Sequence, residues 1–125
     1  MREILFRAKK KYGRTWEYGS LGISRGRYYI SEPEFSSQYQ VLPDTVCQYT
    51  GVTDENGNKV FEGDIVETQY GRMYKVEYHI LPDRVGFDLT PINGDHKVPD
   101  ASITWIMENI KVVGNVFDGA SKNDT

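Results

Sequence analysis

Apolar side chains recur at every second position over short stretches of this chain, and helical periodicity is scarce. Residues 4–9 show this alternation first and predict a strand. Residues 16–18 and 28–30 carry bulky aromatic or β-branched side chains and predict two further strands, with glycines between them marking turns. Residues 31–44 are mostly polar and contain two prolines, so we expect a linker or an exposed excursion there.

The second half of the chain has a clearer pattern. Residues 46–50 predict a strand, and the Asn56-Gly57 pair that follows is a strong hairpin signal because both residues tolerate positive φ. In residues 73–80, tyrosine and valine alternate with ionisable side chains, as in a strand with one buried face. Residues 85–89 and 110–117 predict two more strands. Around five short strands at such regular spacing are typical of a small β-barrel.

Cysteine usage and hydropathy indicate the cellular setting. Cys47 is the only cysteine, which excludes a disulfide within the chain and a zinc site built from cysteines. The first residues place charges inside a short apolar run, which argues against a signal peptide. No stretch approaches the roughly 20 apolar residues of a transmembrane helix. We therefore expect a cytoplasmic protein with no membrane partner, and no cofactor because no cofactor-binding motif is recognised.

Charge is distributed unevenly, although the net charge of the whole chain is only −3. Residues 1–30 hold eight Lys or Arg and two acidic residues, whereas residues 31–125 hold seven and sixteen. Such asymmetry is typical of a nucleic-acid-binding arm, or of a basic segment that docks on an acidic body.

The basic N-terminal segment interleaves cations with aromatic rings. Its members are Arg7, Lys9, Lys10, Lys11, Arg14, Arg25 and Arg27, with Tyr12, Trp16, Tyr28 and Tyr29 among them. Cations neutralise phosphates and aromatic faces stack on unpaired bases, so this composition suits nucleic acid, especially single strands. The candidate nucleic-acid contacts are Lys9, Lys10, Lys11, Arg14 and Trp16. The alternative interpretation is a set of solvated strands whose lysines protect sheet edges.

Five carboxylates fall close together in the sequence: Asp54, Glu55, Glu62, Asp64 and Glu67. Carboxylates that converge on a metal would make a hydrolase or nuclease, and this is the enzyme alternative. Acidic residues beside an Asn-Gly turn are more often solvated turn residues, so we assign no catalytic residue and no metal ligand. His79 and His96 are the only histidines, and the sequence indicates neither an orienting partner nor a ligand set for them.

Four segments follow one another in a recognisable order and rough spacing: residues 2–8, 48–57, 61–66 and 113–117. They resemble, in turn, the REIKFRA start, the QYTG segment with its acidic Asn-Gly turn, the FEGDIV run and the IGN-I-Y close of the YopX family of bacteriophage and prophage proteins. Lys9-Lys10 stands where many members continue the opening with Trp-Asp. The resemblance spans nearly the whole chain.

The resemblance implies a phage or prophage origin and an SH3-like barrel at the C-terminus, but no established activity. We accordingly predict an N-terminal basic strand region with linker over residues 1–44, packed on an SH3-like barrel core over 45–118, and a flexible tail over 119–125. The matching motifs also have a structural interpretation. Gly51, Gly57 and Gly63 are predicted to supply turn geometry, Phe61, Ile65 and Val66 to be core residues, and Asp64 to cap a turn.

The favoured function is a non-catalytic binding or regulatory accessory module. Its expected partner is a host or phage macromolecule, a protein rather than nucleic acid. Tyr49, Tyr70 and Trp105 are the candidate protein contacts, because small barrels usually bind through grooves between their loops. A homo-oligomer held by sheet edges and tyrosines is a third interpretation. The sequence alone does not assign a molecular activity.

Overall fold

The computed structural model describes residues 3–32, 37–69, 71–82, 84–92, 101–102 and 110–120. The predicted fold class is confirmed, because this part of the chain is built almost wholly from antiparallel β-strands. They are β1 Phe6–Lys9, β2 Trp16–Ser24, β3 Arg27–Glu32, β4 Ser37–Val41, β5 Cys47–Thr53, β6 Lys59–Phe61, β7 Asp64–Thr68, β8 Met73–Leu81, β9 Arg84–Pro91, β10 Ala101–Ser102, β11 Ile110–Asn115 and β12 Gly119–Ala120. Within the described ranges, the only helical element is a 3-10 turn at Pro43–Thr45, and no helix there is long and apolar enough to cross a membrane.

The chain divides into two compact units, Met1–Gly51 and Val52–Thr125. The division falls inside β5, where Gly51 has a φ of 89°. The predicted domain boundary after residue 44 lies shortly before this point and stays a prediction.

The first unit has the strand order β4-β3-β2-β1-β5, with every pair antiparallel. Ala8, Ile30 and Val41 form its buried core. The end of β4 also meets the end of β1, where Val41 bridges Lys10. Two backbone hydrogen bonds flank the bridge, from Lys11 N–H to the Gln40 carbonyl oxygen and from Leu42 N–H to the Lys9 carbonyl oxygen, both 2.9 Å. The sheet therefore curls until β4 touches the end of β1.

Two elements of the first unit differ from the sequence prediction. Residues 37–41, predicted to lie in a linker, form β4, because Val41 is buried in the core and the strand pairs with β3 along its length. Gly22 was expected to mark a turn, but β2 continues through it and pairs it with Tyr29. A tyrosine on the partner strand and an open space around Gly22 let the strand accept the glycine.

The second unit contains the larger core, with strand order β10-β9-β8-β7-β11-β12. The buried side chains of this core are Val52, Val60, Val66, Tyr74, Val76, Leu89 and Ile110. In β11 the pairing with β7 shifts between Val112 and Gly114, so Val113 is the extra residue of a β-bulge. The described strands of this unit do not close into a ring, and the SH3-like detail of the prediction is not confirmed. Gly119 and Ala120, at the start of the predicted tail, pair with β11, and residues 121–125 lie outside the described part.

Most of the motif residues take the structural places predicted for them, but Gly51, which was predicted to supply turn geometry, lies inside β5 with a φ of 89°. Gly57 and Gly63 have φ values of 82° and 87°, as their turns require. Phe61 and Val66 are buried, and Ile65 is half-buried. Asp64 caps its turn, because its Oδ2 accepts a 2.8 Å hydrogen bond from the Phe61 backbone N–H.

Candidate functional site

Cations from separate strands of the first unit lie on one outer face. Val41 pairs with Tyr28 of β3 and with Lys10 of β1, so β4 separates these two strands at this end of the unit. Directly paired residues of antiparallel strands project to the same side of a sheet. The register therefore places Leu42 between Lys9 and Arg27. The side chains of these three residues project from the other side of the sheet than the buried Val41.

Gln40 and its neighbours on the two adjacent strands project to the same face as Leu42. Gln40 pairs with Tyr29 on one side and accepts the backbone hydrogen bond of Lys11 on the other. Lys11 and Arg27 are exposed and Lys9 is half-buried. The exposed Arg14 follows in the turn between β1 and β2. We call Lys9, Lys11, Arg14 and Arg27 the basic surface.

Trp16 lies directly opposite Lys9 in the β1–β2 pair and is half-buried. The guanidinium carbon of Arg7 is 4.7 Å from the centre of its ring, and the Lys9 Nζ is 5.4 Å away. Both distances are those of cation–π contacts. Trp16 therefore holds two cations in place, and its ring is engaged within the protein.

Lys10 pairs with the buried Val41 and therefore projects to the side opposite to the basic surface. Its Nζ is 4.8 Å from the centre of the Tyr39 ring and 4.0 Å from a carboxylate oxygen of Glu17. Its neutralisation by an acid of the same unit makes it a weaker phosphate contact than Lys11 or Arg27.

The turn between β1 and β2 carries the most exposed aromatic ring among the described residues of the first unit. Tyr12 is 74% exposed, and the Lys11 Nζ lies 5.5 Å from the centre of its ring. Gly13 and Arg14 follow with φ values of 91° and 59°. The 2.9 Å hydrogen bond from Lys10 N–H to the Thr15 carbonyl oxygen closes the turn. Its backbone is thus held to β2, and through Lys11 to β4.

The structure brings together four of the five predicted nucleic-acid contacts around this turn, whereas Lys10 projects to the opposite side with Val41. The sequence pattern includes Arg27 in the basic segment but does not mark it as a site residue. Arg27 joins the surface only because β4 lies between β1 and β3. In the sequence, only the alternation of cationic and aromatic residues indicates that Arg27 belongs to the basic surface.

The Asp54 carboxylate has a structural environment. Its Oδ1 accepts hydrogen bonds from the backbone N–H groups of Asn56 and Asn58 at 2.9 and 2.8 Å. Its Oδ2 accepts one from the Val112 backbone at 2.9 Å and one from the Asn58 side-chain amide at 3.3 Å. Burial alone would raise the pKa of Asp54, but these hydrogen bonds together outweigh burial and lower the pKa below its ordinary value of 3.8. The carboxylate joins the Asn-Gly turn to β11.

The remaining carboxylates of the enzyme alternative do not gather around Asp54. Asp64 is 1% exposed and caps its turn, and the Glu67 Oε1 lies 3.8 Å from the Lys111 Nζ. Among the residues that the structure describes, no three His, Cys, Asp or Glu side chains are arranged to hold a metal ion.

His79 has two carboxylate partners that the sequence did not indicate. Its Nε2 is 3.3 Å from Glu77 Oε1, and its Nδ1 is 3.2 Å from Oδ2 of the buried Asp88. Thr90 Oγ1 donates a 2.7 Å hydrogen bond to Glu77, which outweighs burial and, with Lys75 and His79, lowers the pKa of Glu77. The register explains the cluster, because Glu77 and Asp88 are directly opposite each other in β8 and β9. His79 thus separates two negative charges.

One of the three predicted protein contacts is described by the structure, and it is less exposed than expected. Tyr49 is 8% exposed in β5, and its backbone N–H donates to the Leu5 carbonyl oxygen at 2.8 Å. Tyr70 and Trp105 lie outside the described residues, as does His96. Cys47 is buried, with Sγ 3.3 Å from the Thr45 carbonyl oxygen. The role of these tyrosines and of the tryptophan in protein binding stays a prediction.

An apolar strip on the β8–β9 hairpin is a further exposed feature. Tyr78 pairs with Phe87 and Ile80 with Val85, on the same face as the buried core pair that precedes them. Their exposed fractions reach 48% for Tyr78, 77% for Ile80 and 58% for Val85. Contiguous exposed apolar side chains are common at protein contact sites.

Comparison with known protein families identifies the family of the chain. The family model described as YopX protein matches residues 5–121, which is nearly the whole chain. No curated protein matches the chain. The matched range covers most of both units and contains the basic surface, the Asn-Gly turn and the β8–β9 hairpin.

Proposed function

The chain belongs to the YopX family, and from this premise we propose that it is a non-catalytic accessory protein that binds nucleic acid through the basic surface. The protein is encoded by a phage or prophage and works in the cytoplasm of the bacterial host. Its target is host or phage nucleic acid.

The observation that carries the proposal is the register that places Lys9, Lys11 and Arg27 on one outer face, with the exposed Arg14 in the adjoining turn. These cations come from β1, from the turn that follows it and from β3. Lysine and arginine displace counterions from phosphates, and this gain needs several cations within reach of one strand of nucleic acid. A surface assembled from separate strands meets that requirement better than a single flexible run of lysines.

The charge of the two units supports the same choice. The first unit holds eight Lys or Arg and five acidic residues, a charge of +3, and the second holds seven and thirteen, a charge of −6. A polyanion is attracted to the first unit and repelled by the second. The net acidity of the chain therefore does not argue against nucleic-acid binding at the basic surface.

The environment of the carboxylates supports a non-catalytic role. A general base or a metal ligand needs an oxygen that faces the substrate or the metal. The Asp54 oxygens are occupied by backbone and amide donors, and one Asp64 oxygen is used by the turn that it caps. The hydrolase alternative gains no support from their arrangement.

Titration of labelled oligonucleotides tests the proposal. Fluorescence anisotropy is measured with single-stranded and duplex DNA and RNA of mixed sequence, at salt concentrations from about 50 to 200 mM. The test variant is Lys11→Gln/Arg27→Gln, which removes two exposed cations of the basic surface. The control is Lys59→Gln/Arg72→Gln, which removes two exposed cations from the second unit.

We expect at least one form of nucleic acid to bind wild type and the control variant equally. The test variant should bind more weakly, and its log–log salt slope should fall by about 0.7 to 0.9 for each phosphate that is no longer neutralised. Absence of binding at low salt, or an equally weakened control, contradicts the proposal.

A protein partner is the alternative, and a pull-down from host lysate with and without nuclease distinguishes it. A partner that disappears on nuclease treatment agrees with the proposal. A partner that survives points to a protein-binding module, and Ile80 and Val85 would then be changed first because they are the most exposed residues of the apolar strip.

A further inference from the structure

We infer that the basic surface prefers single-stranded nucleic acid to duplex, and that the ring of Tyr12 is where an unpaired base stacks. The inference rests on the proposed function and adds the class of nucleic acid and a named contact. It is drawn from the geometry of the turn between β1 and β2.

Tyr12 is presented by a turn that is held at both ends. The Lys10 N–H bonds to Thr15 on the β2 side, and the Lys11 N–H bonds to Gln40 of β4. Two consecutive residues with positive φ, Gly13 and Arg14, follow the ring and set the path of the chain. An exposed ring on an anchored turn loses little conformational freedom when it contacts a base, which favours binding.

The other rings near the basic surface are less exposed than the ring of Tyr12. Trp16 is half-buried and has both Arg7 and Lys9 against its ring, and the half-buried Tyr39 contacts Lys10. Tyr12 is 74% exposed. Tyr12 is therefore the ring that offers a base the most open surface.

The cations around Tyr12 fit a strand whose bases are free. Lys11 precedes the ring, with its Nζ 5.5 Å from the ring centre, and Arg14 follows two positions later. Phosphates of a flexible single strand can contact these cations while the base between them turns towards Tyr12. In a duplex the bases are stacked on each other, so Tyr12 finds no base face and only the phosphate contacts remain.

The test compares three ligands of equal length, about 12 nucleotides: a mixed-sequence single strand, the same strand with abasic sites throughout its centre, and the duplex. The proteins are wild type, Tyr12→Ala, Tyr12→Phe and Tyr78→Ala. Tyr78 is a half-exposed tyrosine of the second unit and controls for the general effect of removing a tyrosine. Thermal unfolding of each variant shows whether the fold is retained.

We expect the single strand to bind wild type more tightly than the duplex or the abasic strand does. Tyr12→Ala should weaken single-strand binding about 5- to 100-fold, the range expected when one stacked ring is removed. It should leave duplex and abasic binding and the salt slope unchanged. Tyr12→Phe should keep most of the affinity because it keeps the ring, and Tyr78→Ala should match wild type.

Duplex binding as tight as single-strand binding overturns the inference, and so does a Tyr12→Ala variant that is weakened by the same factor on all three ligands. In both cases salt-dependent binding that needs Lys11 and Arg27 would leave the proposed function standing. If no ligand binds at low salt, both the inference and the proposed function fail.

Discussion

Asp54 shows how a residue that suggests chemistry in the sequence is used for structure. Four hydrogen-bond donors face its two oxygens, and one of them comes from Val112. The Asp54 backbone takes part as well, because its N–H donates to the Asn58 carbonyl oxygen at 2.8 Å. An ionised carboxylate is the only side chain of this size that accepts all four, since it has two acceptor oxygens and no donor.

We expect Asp54→Asn to reduce the free energy of unfolding at pH 7 by about 1–3 kcal/mol. The asparagine places its amide donor against backbone N–H donors, so at least one of them loses its acceptor. The pKa of Asp54 is lower in the folded than in the unfolded state, so its ionised form adds stability above pH 3.8. This contribution is lost as pH falls through the lowered folded-state pKa, and the difference between wild type and variant should then shrink.

Urea unfolding of both proteins at several pH values from 7 down to about 2 measures this difference. Glu77, whose pKa is also lowered, makes both proteins less stable in acid and cancels in the comparison. Glu55→Gln is the matched control, because Glu55 is the exposed neighbour of Asp54. A wild type and an Asp54→Asn variant of equal stability at pH 7 would show that the carboxylate adds nothing to the turn.

At the scale of elements, two glycines of β2 have opposite roles. Gly19 is buried at the point where β2 and β3 come together, and a Cβ added to it would lie 2.1 Å from the Ser31 carbonyl oxygen. Gly22 lies three residues further along the strand, where a Cβ would meet nothing within 4 Å. Gly19 is therefore required by the close approach of two backbones, whereas Gly22 is not.

We expect Gly19→Ala to destabilise the first unit by about 1–3 kcal/mol or more, because the backbone of β3 must move to admit the methyl group. Gly22→Ala is the control on the same strand. It should be neutral or stabilising by up to about 1 kcal/mol, because alanine restricts the unfolded chain at a site with room for it. Urea unfolding followed by circular dichroism measures both. Equal effects of the two substitutions would contradict the packing argument.

At the scale of the whole molecule, the segregation of charge matters more than the net charge. The sequence isoelectric point is about 5.4, which by itself suggests that the protein avoids polyanions. The +3 of the first unit is arranged so that Lys11 and Arg27 are exposed on one face, while Lys10 is close to Glu17. We therefore expect the local charge of the basic surface, rather than the net charge, to govern the attraction of polyanions.

We expect the protein to be retained on heparin at pH 7 and low salt, despite its net negative charge. Lys11→Gln/Arg27→Gln should elute at lower salt than wild type, and Lys59→Gln/Arg72→Gln should elute with wild type. The elution position in a salt gradient is the measurement. A wild-type protein that flows through the column at low salt would show that the basic surface is too weak to bind a polyanion.

Much of the local structure follows from the sequence because it depends on neighbouring residues. Alternation in residues 73–80 predicted β8, with Tyr74 and Val76 buried on one face. Asn56-Gly57 predicted the turn between β5 and β6, and Gly63 and Asp64 were correctly predicted to form the turn before β7. Strand periodicity, turn chemistry and family motifs are each expressed within a few residues, so a single sequence is sufficient to recognise them.

The tertiary structure alone decided which distant residues meet. Arg27 and Lys9 share a face because β4 lies between their strands, and β4 itself was missed because its polar alternation resembled a linker. His79 gained Asp88 through the register of β8 and β9, and Asp54 gained Val112 across the second unit. Strand order and register depend on the packing of the whole core. A one-dimensional pattern shows which residues can form strands, but not which strands become neighbours.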